Sequence, residues 1–196
     1  MKPVTRTRTL ATFDELDEKA QQKAITEVRA ILWEQLDSDY LTDTLAWWIT
    51  DQISSDDTEH RIGALFGRNG TAHVEFSLSY SQGDHVRIVG KLYRADADRL
   101  SWPNDPEDDN PYIELPHTGG IWYEPGLSDY GRYLDRDHPL AVEIHQLHRD
   151  AYRYLDKTAE AQTDEDAARS WIAEQDRPRM FDADGMPAPY SWWDGR

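Results

Sequence analysis

Polar and apolar positions alternate strictly between Ala72 and Tyr80. Ala72, Val74, Phe76, Leu78 and Tyr80 would line one face of a strand, with His73, Glu75, Ser77 and Ser79 on the other. After a turn, Val86, Ile88, Gly90 and Leu92 continue the apolar face, while Arg87, Lys91 and Tyr93 point away. Matching the two faces pairs Tyr80 with Val86 and Leu78 with Ile88. That register leaves Gln82-Gly83-Asp84 as a three-residue loop and sets Glu75 opposite Lys91. Upstream, Ile62, Ala64 and Phe66 fit the same face if Arg68-Asn69-Gly70 is a second loop. The pattern predicts a three-stranded meander, apolar on one side, which needs a cover.

Helical periodicity supplies one. Thr12 and Glu15 have capping-box spacing, and Phe13, Leu16, Ala20, Ala24, Val28 and Ile31 form an apolar stripe running to about Leu36. Ser38 or Asp39 then caps a second helix bearing Leu41, Leu45, Trp48, Ile49 and Ile53. These two helices are expected to pack on the apolar face of the meander. Farther on, Tyr112–Leu115 and Ile121–Glu124 flank His117-Thr118-Gly119-Gly120 as a hairpin. Leu140 to Ile144 alternates like a strand, and a helix is expected from there to Ala159. Thr163 to Asp166 opens another helix that stops before Pro178, and Phe181 to Gly185 reads as a turn. The prediction is a single α+β domain over residues 1–196, an antiparallel sheet with helices on one face. Residues 1–10 form a basic lead and residues 187–196 an aromatic tail.

Charge changes the picture more than composition does. There are 38 acidic against 21 basic residues, a formal net charge of −17. Compositional bias or adaptation to high salt accounts for such a balance; read functionally, it keeps off nucleic acid and membranes, whose phosphates need clustered Lys and Arg, and suits a protein partner with a basic surface. Asp105, Glu107, Asp108 and Asp109 form the densest acidic cluster, inside a Pro-rich loop. Eight Trp residues argue for a large core or for exposed anchors, with Trp192 and Trp193 in the tail as candidates for anchors. The chain has no Cys and no apolar run of membrane-span length, so a soluble cytoplasmic protein is expected.

Candidate chemistry is sparse. Ser79, Ser81, Asp84 and His85 bring nucleophile, acid and base types together, but turn chemistry on a polar strand face accounts for them. His145 and His148 share a helical face with Glu143 nearby, yet further ligands would have to come from distant His117 or His138. Asp182, Asp184 and Gly185 resemble the start of a calcium loop without its closing Glu. There is no Gly-rich phosphate loop and no dinucleotide fingerprint, so neither a cofactor nor a metal is expected. A binding protein is favoured over an enzyme.

The order of parts resembles a family of uncharacterised proteins of bacteriophages and other mobile elements. The resemblance runs through the Phe13 to Ala24 helix, Ser81-Gln82-Gly83-Asp84, the Tyr152 to Leu155 segment, Thr163 to Ala167 and Phe181 to Gly185. His85 stands where that family usually has Gly. The resemblance implies an α+β fold and a phage setting, and it supplies no catalytic residues. The resulting expectation is an acidic phage-type protein that binds a host protein, inhibiting a nucleic-acid-binding or defence component, with Ser81, Gln82, Gly83 and Asp84 among its contact residues. Two alternatives stand beside it: a small-ligand binder or hydrolase with a site near residues 81–85, and an accessory phage protein.

Overall fold

The computed structural model describes residues 9–54, 73–78, 84–103, 112–117, 119–123, 131–174 and 179–189. In chain order these form β1 (Leu10–Ala11), a 3-10 turn (Phe13–Glu15), α1 (Glu18–Glu34), α2 (Ser38–Ile53), β2 (His73–Ser77) and β3 (His85–Tyr93). There follow β4 (Tyr112–Leu115), β5 (Trp122–Tyr123), β6 (Arg132–Tyr133), α3 (Pro139–Thr163), α4 (Glu165–Ala173) and β7 (Phe181–Asp182). The fold is α+β. Its chain divides into two compact units, residues 1–36 with 158–196, and residues 37–157.

In the first unit the helix expected at Thr12 begins later. Thr12 and Glu15 do form a reciprocal cap, with the Thr12 N–H donating to Glu15 Oε2 at 2.8 Å, but around a short 3-10 turn. Asp17 is the cap of α1 itself, accepting the Ala20 N–H at 2.8 Å. A second acid at a better position wins the helix start. The α1 stripe, expected to cover the meander, is buried inside its own unit. Ala20, Ala24, Ile25 and Val28 are buried with Leu16, Ala168, Ile172 and Phe181, so α1 packs on α4 and β7 within its own unit. The two alanines leave room for a close helix–helix approach. Asp164 caps α4 by accepting the Ala167 N–H at 2.7 Å, inside the capping segment expected there. Leu10–Ala11 pairs antiparallel with Phe181–Asp182, and the turn beyond closes on Gly185. Gly185 has φ +81°, and a Cβ there would sit 2.1 Å from the Ala20 carbonyl oxygen. Only glycine permits both.

The second unit holds the main sheet. Its described strands pair antiparallel in the order β2-β3-β4-β5-β6. The faces are as the alternation requires: Val74, Val86, Ile88 and Leu92 are buried, and Phe76 is partly so. The register differs. Phe76 lies opposite Val86, where the tight-loop pairing would set it opposite Gly90, a shift of four residues. An even slip keeps every side chain on its own face, so alternation alone does not exclude it. Glu75 accordingly faces Arg87, and Lys91 pairs with Glu114 on β4 at 3.6 Å. The expected strand at Ile62 to Phe66 lies outside the described residues. The β4–β5 hairpin forms, with Ile113 opposite Tyr123.

α2 covers this sheet from beside β2, burying Leu41, Leu45, Ala46, Ile49 and Ile53. Its cap is Asp37, one residue ahead of the expected Ser38 or Asp39. Trp48 stacks on Tyr154 with ring centroids 5.2 Å apart, while Trp47 is half exposed. Residues 140–144, expected as a strand, belong to α3. Pro139 occupies the first helical position, and His138 Nδ1 accepts the Leu140 N–H at 3.2 Å. Leu140, Ile144, Leu147, Ala151 and Leu155 then form one buried helical stripe. No helix among the described residues is long and apolar enough to cross a membrane.

Candidate functional site

The site arises where the sheet is incomplete. β3 is flanked by β2 over residues 85–89 but by β4 only over residues 90–93. Pro116 follows β4 at once and has no N–H with which to extend the ladder. Among the described residues the first half of β3 therefore presents an edge on that side, and α3 lies beside it. The Ile88 N–H donates to His148 Nε2 at 3.2 Å, a side chain standing in for a strand. The Arg87 guanidinium donates to the His117 carbonyl, which anchors the chain just past β4.

Between this edge, the β4–β5 connection and α3 lies a cavity of about 560 Å³. Ile144, His145, His148, Arg149, Tyr152 and Arg153 reach it from α3, because positions three and four apart share a helix face. Asp84, His85, Val86, Arg87 and Ile88 line the strand side, and Leu115, Pro116, Gly119, Gly120 and Ile121 close the end. Gly119 has φ +84°, the backbone geometry that lets this wall turn sharply. A second hollow of about 630 Å³ lies across Gly119 and Gly120, shares His145 and Arg149, and adds Arg136 and Asp137.

The lining mixes an apolar floor with converging polar groups. Burial holds His148 down at about 4, with His145 and Arg87 reinforcing the shift, so its ring is neutral near pH 7. Because Nε2 accepts a backbone N–H, the hydrogen of this neutral ring is on Nδ1. The His145 and His148 rings meet edge to face at 6.4 Å. Arg149 donates to Gln146 at 2.5 Å and Arg153 to Asp150 at 2.8 Å; both guanidiniums are solvent-accessible at the rim. The Tyr152 hydroxyl donates to Asp84 Oδ2 at 3.2 Å.

Of the residues singled out from sequence, Asp84 and His85 lie at this cavity. Ser81, Gln82, Gly83, Asp105, Glu107, Asp108, Asp109, Trp192 and Trp193 lie outside the described residues. His145 and His148 are both at the cavity, but the other groups considered with them are engaged elsewhere. Glu143 accepts the Ser101 N–H at 2.7 Å and the Ser101 hydroxyl at 2.6 Å. His138 caps α3, and His117 bonds Glu75 at 3.0 Å. Glu75 also takes His73 at 3.1 Å. Partial burial works to raise the Glu75 carboxyl, but its two histidine partners outweigh it and hold it below the usual carboxylate range. Among the described residues, no group of three His, Asp or Glu side chains has the arrangement of a metal site. Asp182 Oδ1 accepts the Asp184 and Met186 N–H groups, which makes that segment a turn.

Arg87, Arg149, Tyr152 and Arg153 were not singled out from sequence. His145, Arg149 and Arg153 repeat at four-residue spacing, a signal legible on a helix, but nothing in the sequence shows which strand edge they face. The chain matches no family model, no curated protein and no solved structure.

Proposed function

We propose that this protein binds a small anionic molecule, bearing a phosphate or carboxylate, in the cavity between the β3 edge and α3. One observation carries the reading. In a chain with 38 acidic and 21 basic residues, the described residues lining this cavity include three arginines and a single carboxylate. Guanidinium groups make paired, charge-assisted hydrogen bonds to oxyanions, and a partly desolvated pocket strengthens them. The neutral His148 ring adds apolar surface, and Ile88, Leu115, Ile121 and Ile144 add more. A few polar groups converging on an apolar floor is the usual make-up of a small-molecule site, and the volume suits a metabolite.

The test is a thermal-shift panel of phosphorylated and carboxylated small molecules, with hits measured by calorimetry. Arg149→Gln removes a charge shared by both hollows and is expected to weaken binding by about tenfold, equivalent to about 1.4 kcal/mol. Arg169→Gln, on α4 and paired with Glu165, serves as control and should leave affinity unchanged. Failure of every anion to bind saturably, or equal loss in the two variants, would refute the proposal.

A further inference from the structure

Asp84 is the one acid among the described residues lining the cavity, and half of its carboxylate is unaccounted for. Oδ2 accepts the Tyr152 hydroxyl, whereas Oδ1 is buried and has no hydrogen-bond partner among the described residues. A carboxylate oxygen removed from water without a donor is costly, so such an atom in a cavity wall calls for one. The arginines do not supply it: Arg153 bonds Asp150, Arg149 bonds Gln146 and Arg87 bonds the His117 carbonyl. A neutral donor would fill the lone pair, and an ammonium would fill it with a charge-assisted bond.

We infer that the ligand is a small zwitterion, an amine joined to an oxyanion, with its ammonium at the Asp84 carboxylate and its oxyanion toward Arg149. The inference rests on the anion-binding reading above. Tyr152, which holds Asp84, and Arg149 are three residues apart on α3 and thus on one face. The two charges of the ligand are therefore met within about one helical turn. Asp84 acts here as a specificity group: it admits amine-bearing anions and discriminates against plain ones.

The probes are ω-aminoalkyl phosphates of graded chain length, each compared by calorimetry with the alkyl and the ω-hydroxyalkyl phosphate of the same length. At the best length the amine should bind wild-type protein at least about tenfold more tightly than the alkyl phosphate, a difference of about 1.4 kcal/mol. Asp84→Asn, which keeps the shape, should erase that preference and leave alkyl phosphate affinity within about twofold. Should Asp84→Asn fail to fold, the wild-type series still decides. Equal binding of amine and alkyl phosphates at every length overturns the inference and leaves the anion site standing. So does equal binding of the hydroxyl series, or a preference that survives Asp84→Asn. If no phosphate of any kind binds, the inference falls, and the anion-binding reading falls with it when the carboxylates of the panel fail too.

Discussion

Protonating His148 should destabilise the unit that contains it, and the size of the effect follows from its surroundings. Its imidazole is held at about 4, against an ordinary 6.5, first by burial and then by His145 and Arg87. Its Nε2 accepts the Ile88 N–H, a bond that the protonated ring cannot keep. The group's folded-state pKa lies below its unfolded one, so between the two the unfolded chain binds more protons. Stability is therefore complete above about pH 6.5 and declines as pH falls through the window down to about 4. The gap of about 2.5 units corresponds to on the order of 3 kcal/mol. Denaturant unfolding of wild type and His148→Gln from pH 4 to 8 measures it. Glutamine retains an acceptor for Ile88 but does not titrate, so the stability of wild type relative to the variant should fall by about 3 kcal/mol on acidification. The response of Glu75 to acid is common to both proteins and cancels. Curves that run parallel across the window would show that His148 is not buried as a neutral acceptor.

The revised register separates two core positions: Ile88→Ala, at a residue 1% exposed, should cost about 2–5 kcal/mol, and Phe76→Ala, only partly buried, should fall short of the about 3–5 kcal/mol of a fully buried ring. Chemical denaturation of the two variants decides this. The interaction-protein reading makes a separate prediction: affinity for a captured basic protein should fall on going to about 0.5 M salt. Neutralising Asp105, Glu107, Asp108 and Asp109 together should reproduce much of that loss. An affinity indifferent to salt and to these substitutions would leave the net acidity as compositional background.

Local signals were legible where one chemical choice dominates. The alternation from Val74 to Leu92 identifies the buried face, because exposing Ile88 and Leu92 would forfeit their burial whatever the register. It does not fix the pairing, since slips by two or four residues conserve the faces. The apparent turn Gln82-Gly83-Asp84 supplied a register that the strands do not adopt. Residues 140–144 misled for a related reason, as five residues satisfy either period. Pro139 at a helix start and the continued spacing through Ala151 and Leu155 arbitrate in favour of the helix. The capping acids were harder still. Asp14, Asp17, Asp37, Asp39 and Asp164 crowd the helix starts, and only geometry selects Asp17, Asp37 and Asp164. The candidate site was legible only in part, through Asp84, His85, His145 and His148, because it is assembled across the sequence. Asp84 and Tyr152 are 68 positions apart, and Ile88 and His148 are 60.

An acidic chain can hold a cationic cavity without contradiction because the two act over different distances. At physiological ionic strength the screening length is about 8 Å, so carboxylates scattered over the surface contribute little to the potential at a ligand already seated. A guanidinium in contact with that ligand acts at about 4 Å, where one charge pair is worth about 4 kcal/mol at an effective dielectric of 20 and about 1 kcal/mol in bulk water. Arg87 adds a further asymmetry. By donating to the His117 carbonyl, it ties the cavity's end wall to the same strand whose edge forms its side. Glu75 holds His117 from the neighbouring strand, so β2, β3 and the residues after β4 are linked through one imidazole and one carbonyl. Arg87, which lines the cavity, is thus also a residue that ties the chain just past Pro116 to β3. Both roles draw on the same interruption in the β3–β4 ladder.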